Sequence, residues 1–205
     1  YLGNGDANDQ DTPQAVLGIP ETVTSISQAE FHGCALTSSS AAYCWGRNRL
    51  GELGVGDNAA SPTAKAVVGL SDPVVAISAG IAHTCALTSA GAAYCWGRGT
   101  YGQLGTGSTA NQFSPVLVQG LGSDAIDISA GAGHTCAVVP NGTAYCWGVG
   151  VYGQLGSGAM SNSLTPTQVV GLSDVASITA GYLHTCALTS NGTAYCWGNG
   201  QNGRL

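Results

Sequence analysis

Ala42-Tyr43-Cys44-Trp45-Gly46 returns, letter for letter, at Ala93 to Gly97, Ala144 to Gly148 and Ala194 to Gly198. The central cysteines lie 51, 51 and 50 residues apart, so one unit is copied four times, over approximately 1–52, 53–103, 104–154 and 155–205. A unit of that length holds about four short strands, the size of one propeller blade, and no copy buries its apolar face alone. The copies therefore stack, and the core lies between them. Apolar residues nowhere keep helical spacing over a helix-length window, so the fold class is all-β. The expected architecture is four tandem four-stranded blades, as a partial ring or one completed by oligomerisation.

Working outward, each Ala-Tyr-Cys-Trp-Gly is the second arm of a hairpin. The eight cysteines fall into Cys34 with Cys44, Cys85 with Cys95, Cys136 with Cys146 and Cys186 with Cys196. In the last pair, a three-residue loop of Ser190, Asn191 and left-handed Gly192 sets Thr189 opposite Thr193 and Cys186 opposite Cys196. Directly opposed residues have Cα atoms roughly 4.5–5.5 Å apart, which a disulfide spans. Pro140-Asn141-Gly142 and Ser89-Ala90-Gly91 fit the same turn, whereas Ser38-Ser39-Ser40 requires Ser40 at positive φ. Each unit also holds His-x-Cys (His32, His83, His134, His184), a competing zinc reading. It lacks Cys-x2-Cys and would need four equivalent sites, so disulfides are the stronger reading. Persistent disulfides point to an oxidising location: extracellular, cell-surface or periplasmic.

After Cys95 a glycine-rich stretch, Trp96 to Gly107, turns over the surface. Ser114-Pro115-Val116-Leu117-Val118 then starts a strand with proline at its beginning, Ala125 to Ser129 forms another, and His134 to Val138 opens the next stapled hairpin. The pattern W-G-x-G-x-x-G-Q-L-G-x-G, then P-x-x-V, then I-x-A-G-x-x-H-T-C-A-L resembles the repeat of the regulator of chromosome condensation, over the whole chain. That resemblance implies propeller blades, usually seven around an axis, and fixes no partner. Two features depart from it: the paired cysteines, which suit a secreted bacterial-type variant, and the count of four units.

Composition narrows the function. Only 8% of residues are charged, against roughly 25% in a typical soluble domain. The net charge of −6, with five basic residues, leaves no basic stripe for nucleic acid or an anionic membrane surface. No apolar run reaches the roughly 18 residues that span a bilayer. A first residue of Tyr1 rather than methionine is expected of a processed or excised chain. The G-x-G-x-x-G matches at Gly97 to Gly102, Gly148 to Gly153 and Gly198 to Gly203 are followed by Gln-Leu-Gly or the chain end rather than a helix, which speaks for inter-blade turns and against a dinucleotide cofactor. The periodic histidines read as structural, each bonding a backbone carbonyl, and no single acid, base and nucleophile set converges, so no enzyme is expected. Asn141-Gly-Thr and Asn191-Gly-Thr fit both a glycan acceptor and a turn, and the turn suffices. Asp6, Asp9 and Asp11 form the densest acidic cluster, a possible weak calcium site or a solvated loop.

Leu2 keeps the phase of Leu53, Leu104 and Leu155, and Gly203-Arg204-Leu205 ends at that phase. An N-terminal strand is therefore positioned to complete the C-terminal blade, in cis or in trans. The leading expectation is a non-enzymatic extracellular scaffold that self-associates through its terminal units. The alternative is a soluble propeller that binds or inhibits another protein through its loop face, with Arg47, Arg49, Tyr101, Tyr152 and Tyr182 as anchors. Guanine-nucleotide exchange follows from the resemblance alone and sits badly with disulfides.

Overall fold

The structure, a computed structural model, describes residues 2–122 and 124–201. The described residues form fifteen strands and no α-helix. Blade 1 comprises β1 (Val23–Gln28), β2 (His32–Thr37), β3 (Ala42–Gly46) and β4 (Ser61–Ala66). Blade 2 comprises β5 (Val74–Ala79), β6 (His83–Thr88), β7 (Ala93–Gly97) and β8 (Gln112–Leu117). Blade 3 comprises β9 (Asp127–Ala130), β10 (His134–Val138), β11 (Ala144–Gly148) and β12 (Ser163–Gln168). Blade 4 comprises β13 (Val175–Ala180), β14 (His184–Thr189) and β15 (Ala194–Gly198). Each is an antiparallel meander in chain order. The blades do not coincide with the sequence copies: β4 lies after Leu53, in the second copy, yet pairs with β3 of the first. Blades 1 to 3 thus borrow their outer strand from the next copy.

The hairpin register follows the turn chemistry. Cys34 pairs with Cys44, Cys85 with Cys95, Cys136 with Cys146 and Cys186 with Cys196. All four pairs are disulfides, with Cα atoms 4.1 Å apart. The turns carry the left-handed residue where expected: Gly91 at φ 75°, Gly142 at 75°, Gly192 at 87° and, lacking glycine, Ser40 at 63°. Asp174, at φ 57°, is a second such residue that the sequence reading did not anticipate. Its carbonyl accepts the Ser190 amide at 2.8 Å.

The proline-bearing strand begins earlier than expected. β8 starts at Gln112, so Pro115 lies inside it. It is tolerated because β8 is an outer strand, bonded on one side only, and its ladder with β7 shifts register between Cys95 and Gly97.

The core sits between blades. Leu36, Ala42 and the Cys34–Cys44 bridge of blade 1 pack against Val74, Ile77, Ala86 and Trp96 of blade 2, with Leu53 from the connecting loop beneath them. The two later interfaces repeat this arrangement. The N-terminal segment covers blade 1: Asn4 bridges Thr63, Gly5 N donates to Pro62 O at 2.9 Å, and Val16 and Ile19 pack against Trp45 and Ala64. Within one chain it adds no strand to the sheet of β13, β14 and β15.

Candidate protein-binding surfaces

A three-part bond joins each blade to the next. His32 Nε2 lies 2.8 Å from Thr84 Oγ1, which donates to Glu52 O at 2.8 Å; Trp96 Nε1 donates to the same carbonyl at 2.9 Å. His83, Thr135, Gln103 and Trp147 repeat the set, as do His134, Thr185, Gln154 and Trp197. The hydroxyl proton goes to the carbonyl, so Thr accepts and the histidine proton sits on Nε2. The bare Nδ1 of each ring is buried without a partner. Histidine therefore reaches the neighbouring threonine hydroxyl rather than a backbone carbonyl, a correction to the sequence reading: the hydroxyl is interposed because His-Thr-Cys places it on the facing blade. Burial holds the rings neutral, lowering His32 to about 4, His83 to about 3 and His134 to about 4. Arg47 adds to the shift of His32, the neighbouring histidines to that of His83, and His184 to that of His134.

The five anchors named from the sequence do not form one site. Arg47 is a strut: its Nε bonds Glu52 Oε1 at 2.8 Å, its Nη2 reaches Ile81 O at 3.2 Å, and its guanidinium lies 4.1 Å over Phe31. Glu52 is fully buried, and its Oε2 also takes the Leu50 amide at 2.8 Å. Arg49 is exposed. Tyr101 and Tyr182 do meet, across a groove of about 400 Å³ between the loops of blades 2, 3 and 4, while Tyr152 stands exposed outside it. Sequence reasoning missed Arg98, which lines this groove 4.6 Å from the Tyr101 ring. Its register with Arg47 was the available signal.

The acidic cluster does not converge. Asp6 Oδ1 accepts Asn8 Nδ2 at 2.6 Å and Oδ2 accepts Gln10 Nε2 at 3.3 Å; the Asn8 bonds hold the carboxyl below its usual range. No group of three His, Cys, Asp or Glu among the described residues is placed to hold a metal, Asp9 and Asp11 included. Asn141 and Asn191 close their turns through Oδ1, accepting Thr143 N at 2.9 Å and Thr193 N at 3.0 Å. Gly97 to Gly102 and Gly148 to Gly153 run from strands into turns, and Gly203 lies outside the described residues, as do Tyr1, Arg204 and Leu205.

The end faces are unlike the internal ones. On blade 1, Ile26 is 63% exposed where the matching Ile77 is 9% exposed. On blade 4, Leu188 is 43% exposed against 1% for the matching Leu87. Ala194, Tyr195 and Cys196 are exposed beside Leu188. Blade 1 also carries Gly33 where later units have Thr84, Thr135 and Thr185, and Gln28 where they have Ala79, Ala130 and Ala180. Gln28 Nε2 donates to Ala29 O at 2.9 Å and His32 O at 3.2 Å, which leaves Oε1 as an acceptor over the space a Gly33 side chain would fill.

Known proteins share this architecture. The chain is 35% identical over 166 residues to the human probable E3 ubiquitin-protein ligase HERC4, covering 75% of the chain and 16% of that protein. It is 34% identical over 178 residues to the ultraviolet-B receptor UVR8 of Arabidopsis thaliana, covering 84% of the chain and 40% of the receptor. The Saccharomyces cerevisiae Prp20p structure superposes with TM-score 0.75 at 27% identity over 87% of this chain and 45% of that one. Human WBSCR16 gives 0.84 at 20% identity over all of this chain and 57% of that one. The chain spans less than half the length of the curated relatives named here. A model described as the RCC1-like domain matches residues 1–205, and the chain belongs to that family.

Proposed function

We propose that this chain is a non-catalytic, disulfide-stapled binding scaffold of the secreted, bacterial type, held outside the reducing cytosol, that associates with further copies of itself through its end faces. The carrying observation is self-complementarity. Ile26 and Val23 on blade 1 and Leu188 and Ala194 on blade 4 occupy the positions at which Ile77, Val74, Leu36 and Ala42 meet inside the chain. A second copy would cover both with contacts the chain already makes between its own blades, a heterologous arrangement that closes into a ring or extends. Gln28 Oε1 would take the proton of the second copy's His184 in place of the missing threonine. The segment Gln10 to Ala15, in phase with β4, would supply the outer strand beside β15.

Two features support the remaining parts of this reading. All eight cysteines are paired, which favours an oxidising compartment. Three of the four histidines, the most versatile acid–base groups, are committed to inter-blade bonds. Sedimentation of the oxidised chain between about 1 and 100 µM tests the association. Concentration-dependent larger species are expected, and a single monomer throughout would overturn the reading.

A second reading has its own observation, the Tyr101 and Tyr182 groove, which suits recognition or inhibition of another protein through the loop face. The relative Prp20p, which is the yeast RCC1, has binding properties to Gsp1p and histones and is also solved with Kap60 bound. For this chain, the disulfides favour a partner met outside the cytosol over a guanine-nucleotide-binding one.

A further inference from the structure

The loop-face groove carries a charge that the chain leaves unanswered. Two positions of the repeat govern it. In the first unit Arg47 and Glu52 face each other as an ion pair at 2.8 Å. In the third, Val149 and Gln154 stand at those positions and both charges are gone. The second unit breaks the symmetry: Arg98 keeps the guanidinium while Gln103 replaces the acid, turning its Oε1 to the Tyr101 amide at 2.9 Å. Among the described residues Arg98 has no carboxylate within ion-pair distance, and the only hydrogen bond of its side chain runs from Nε to Thr100 Oγ1 at 3.4 Å. Stacking over Tyr101 holds the plane in position, so both terminal nitrogens are free to meet a ligand.

The walls beside this cation are apolar. Val149, Val151, Leu183 and the ring of Tyr182 line the same groove, and Val151 and Tyr182 are 49% and 62% exposed. One further polar group opens onto it: Asn162, whose Oδ1 accepts the Gly150 amide at 3.0 Å, leaving its Nδ2 to donate outward. A cavity of about 400 Å³ is of the size that binding pockets occupy, about 300–1,000 Å³. One guanidinium, one amide donor and an aromatic-aliphatic wall match an extended polypeptide. A nucleic acid would need a row of cations that this chain of net charge −6 lacks.

We propose that this groove binds a polypeptide segment in which one carboxylate, taken by Arg98, adjoins one large apolar side chain, seated between Tyr101, Val151 and Tyr182, with Asn162 Nδ2 donating to a backbone carbonyl of the segment. The proposal rests on the reading of the loop face as a protein-binding surface and adds the chemistry of what binds there.

The test uses the oxidised full chain and capped fluorescent hexapeptides with Asp or Glu on either side of Phe or Leu, alongside matched Asn and Gln peptides, read by anisotropy. Acidic peptides are expected to bind saturably and at least about tenfold more tightly than their amide counterparts, with the preference shrinking in high salt. Arg98→Gln should erase that preference, Arg98→Lys should retain part of it, and Arg98→Glu should transfer it to Lys-bearing peptides, all without moving the melting temperature. Tyr182→Ser should weaken every peptide alike. Equal binding of acidic and amide peptides would overturn the carboxylate site while leaving the loop-face reading standing. No saturable binding by any peptide would overturn both.

Discussion

Three histidines act as uncharged hydrogen-bond donors in buried interfaces, and this makes the array acid-sensitive. Above about pH 6.5 these rings are neutral whether the chain is folded or not. Below it the unfolded chain takes up protons that the folded chain refuses until about pH 4 for His32 and His134 and about pH 3 for His83. Stability should therefore fall with pH across that window and level off beneath it, each ring contributing up to about 1.4 kcal/mol per pH unit. Urea unfolding at stepped pH would measure this, and His83→Gln should flatten the slope by about one proton. The Arg47–Glu52 pair gives a second expectation. Arg47→Val strands a fully buried carboxylate and should cost about 3 kcal/mol by chemical denaturation. Adding Glu52→Gln reproduces the Val149 and Gln154 solution of the third unit and should recover most of that loss.

In the hairpins, backbone strain and solvent access single out two copies. Ser40 holds φ 63° where the other three turns place glycine. Ser40→Gly should stabilise the chain by about 0.5–1 kcal/mol, seen as a raised melting temperature; no change would mean that the turn's bonds already offset the strain. The staples differ in access as well. The first three disulfides are wholly buried, whereas Cys196 is exposed on the trailing face of blade 4. Under a limiting dose of phosphine the Cys186–Cys196 bridge should open first, releasing about 2–3 kcal/mol of loop-closure stabilisation from that hairpin. Peptide mapping after thiol alkylation would report the order, and uniform reduction would contradict it.

Across the array, the three internal interfaces show how its outer faces can be satisfied. Leu188→Asp plants a charge on the trailing face of blade 4 without touching any internal interface. It should weaken self-association by at least about tenfold in sedimentation while leaving the far-ultraviolet spectrum unchanged. Because the same contact would cover Cys196, association should also slow reduction of the fourth disulfide. Among the described residues one chain does not satisfy itself: the N-terminal segment stays on blade 1 through Val16, Ile19 and the Asn4 bridge, while β15 has no strand beyond it.

Local order was legible from the letters because it is set by neighbours in the chain. The repeat period, the hairpin turns, the cysteine partners and the positive φ of Ser40 depend on turn stereochemistry and strand register over about ten residues. The strand containing Pro115 was misplaced by a few residues because the bulge that accommodates proline is a property of the paired β7 and β8. What the histidines bond to was not readable, since their partners lie on the adjacent blade, as far along the chain as Thr84 is from His32. The union of Arg98, Tyr101 and Tyr182 in one groove, and the release of Arg47 from the list of surface anchors, likewise depend on how blades lean together. Side chains from different copies meet there only after packing has brought the blades into contact.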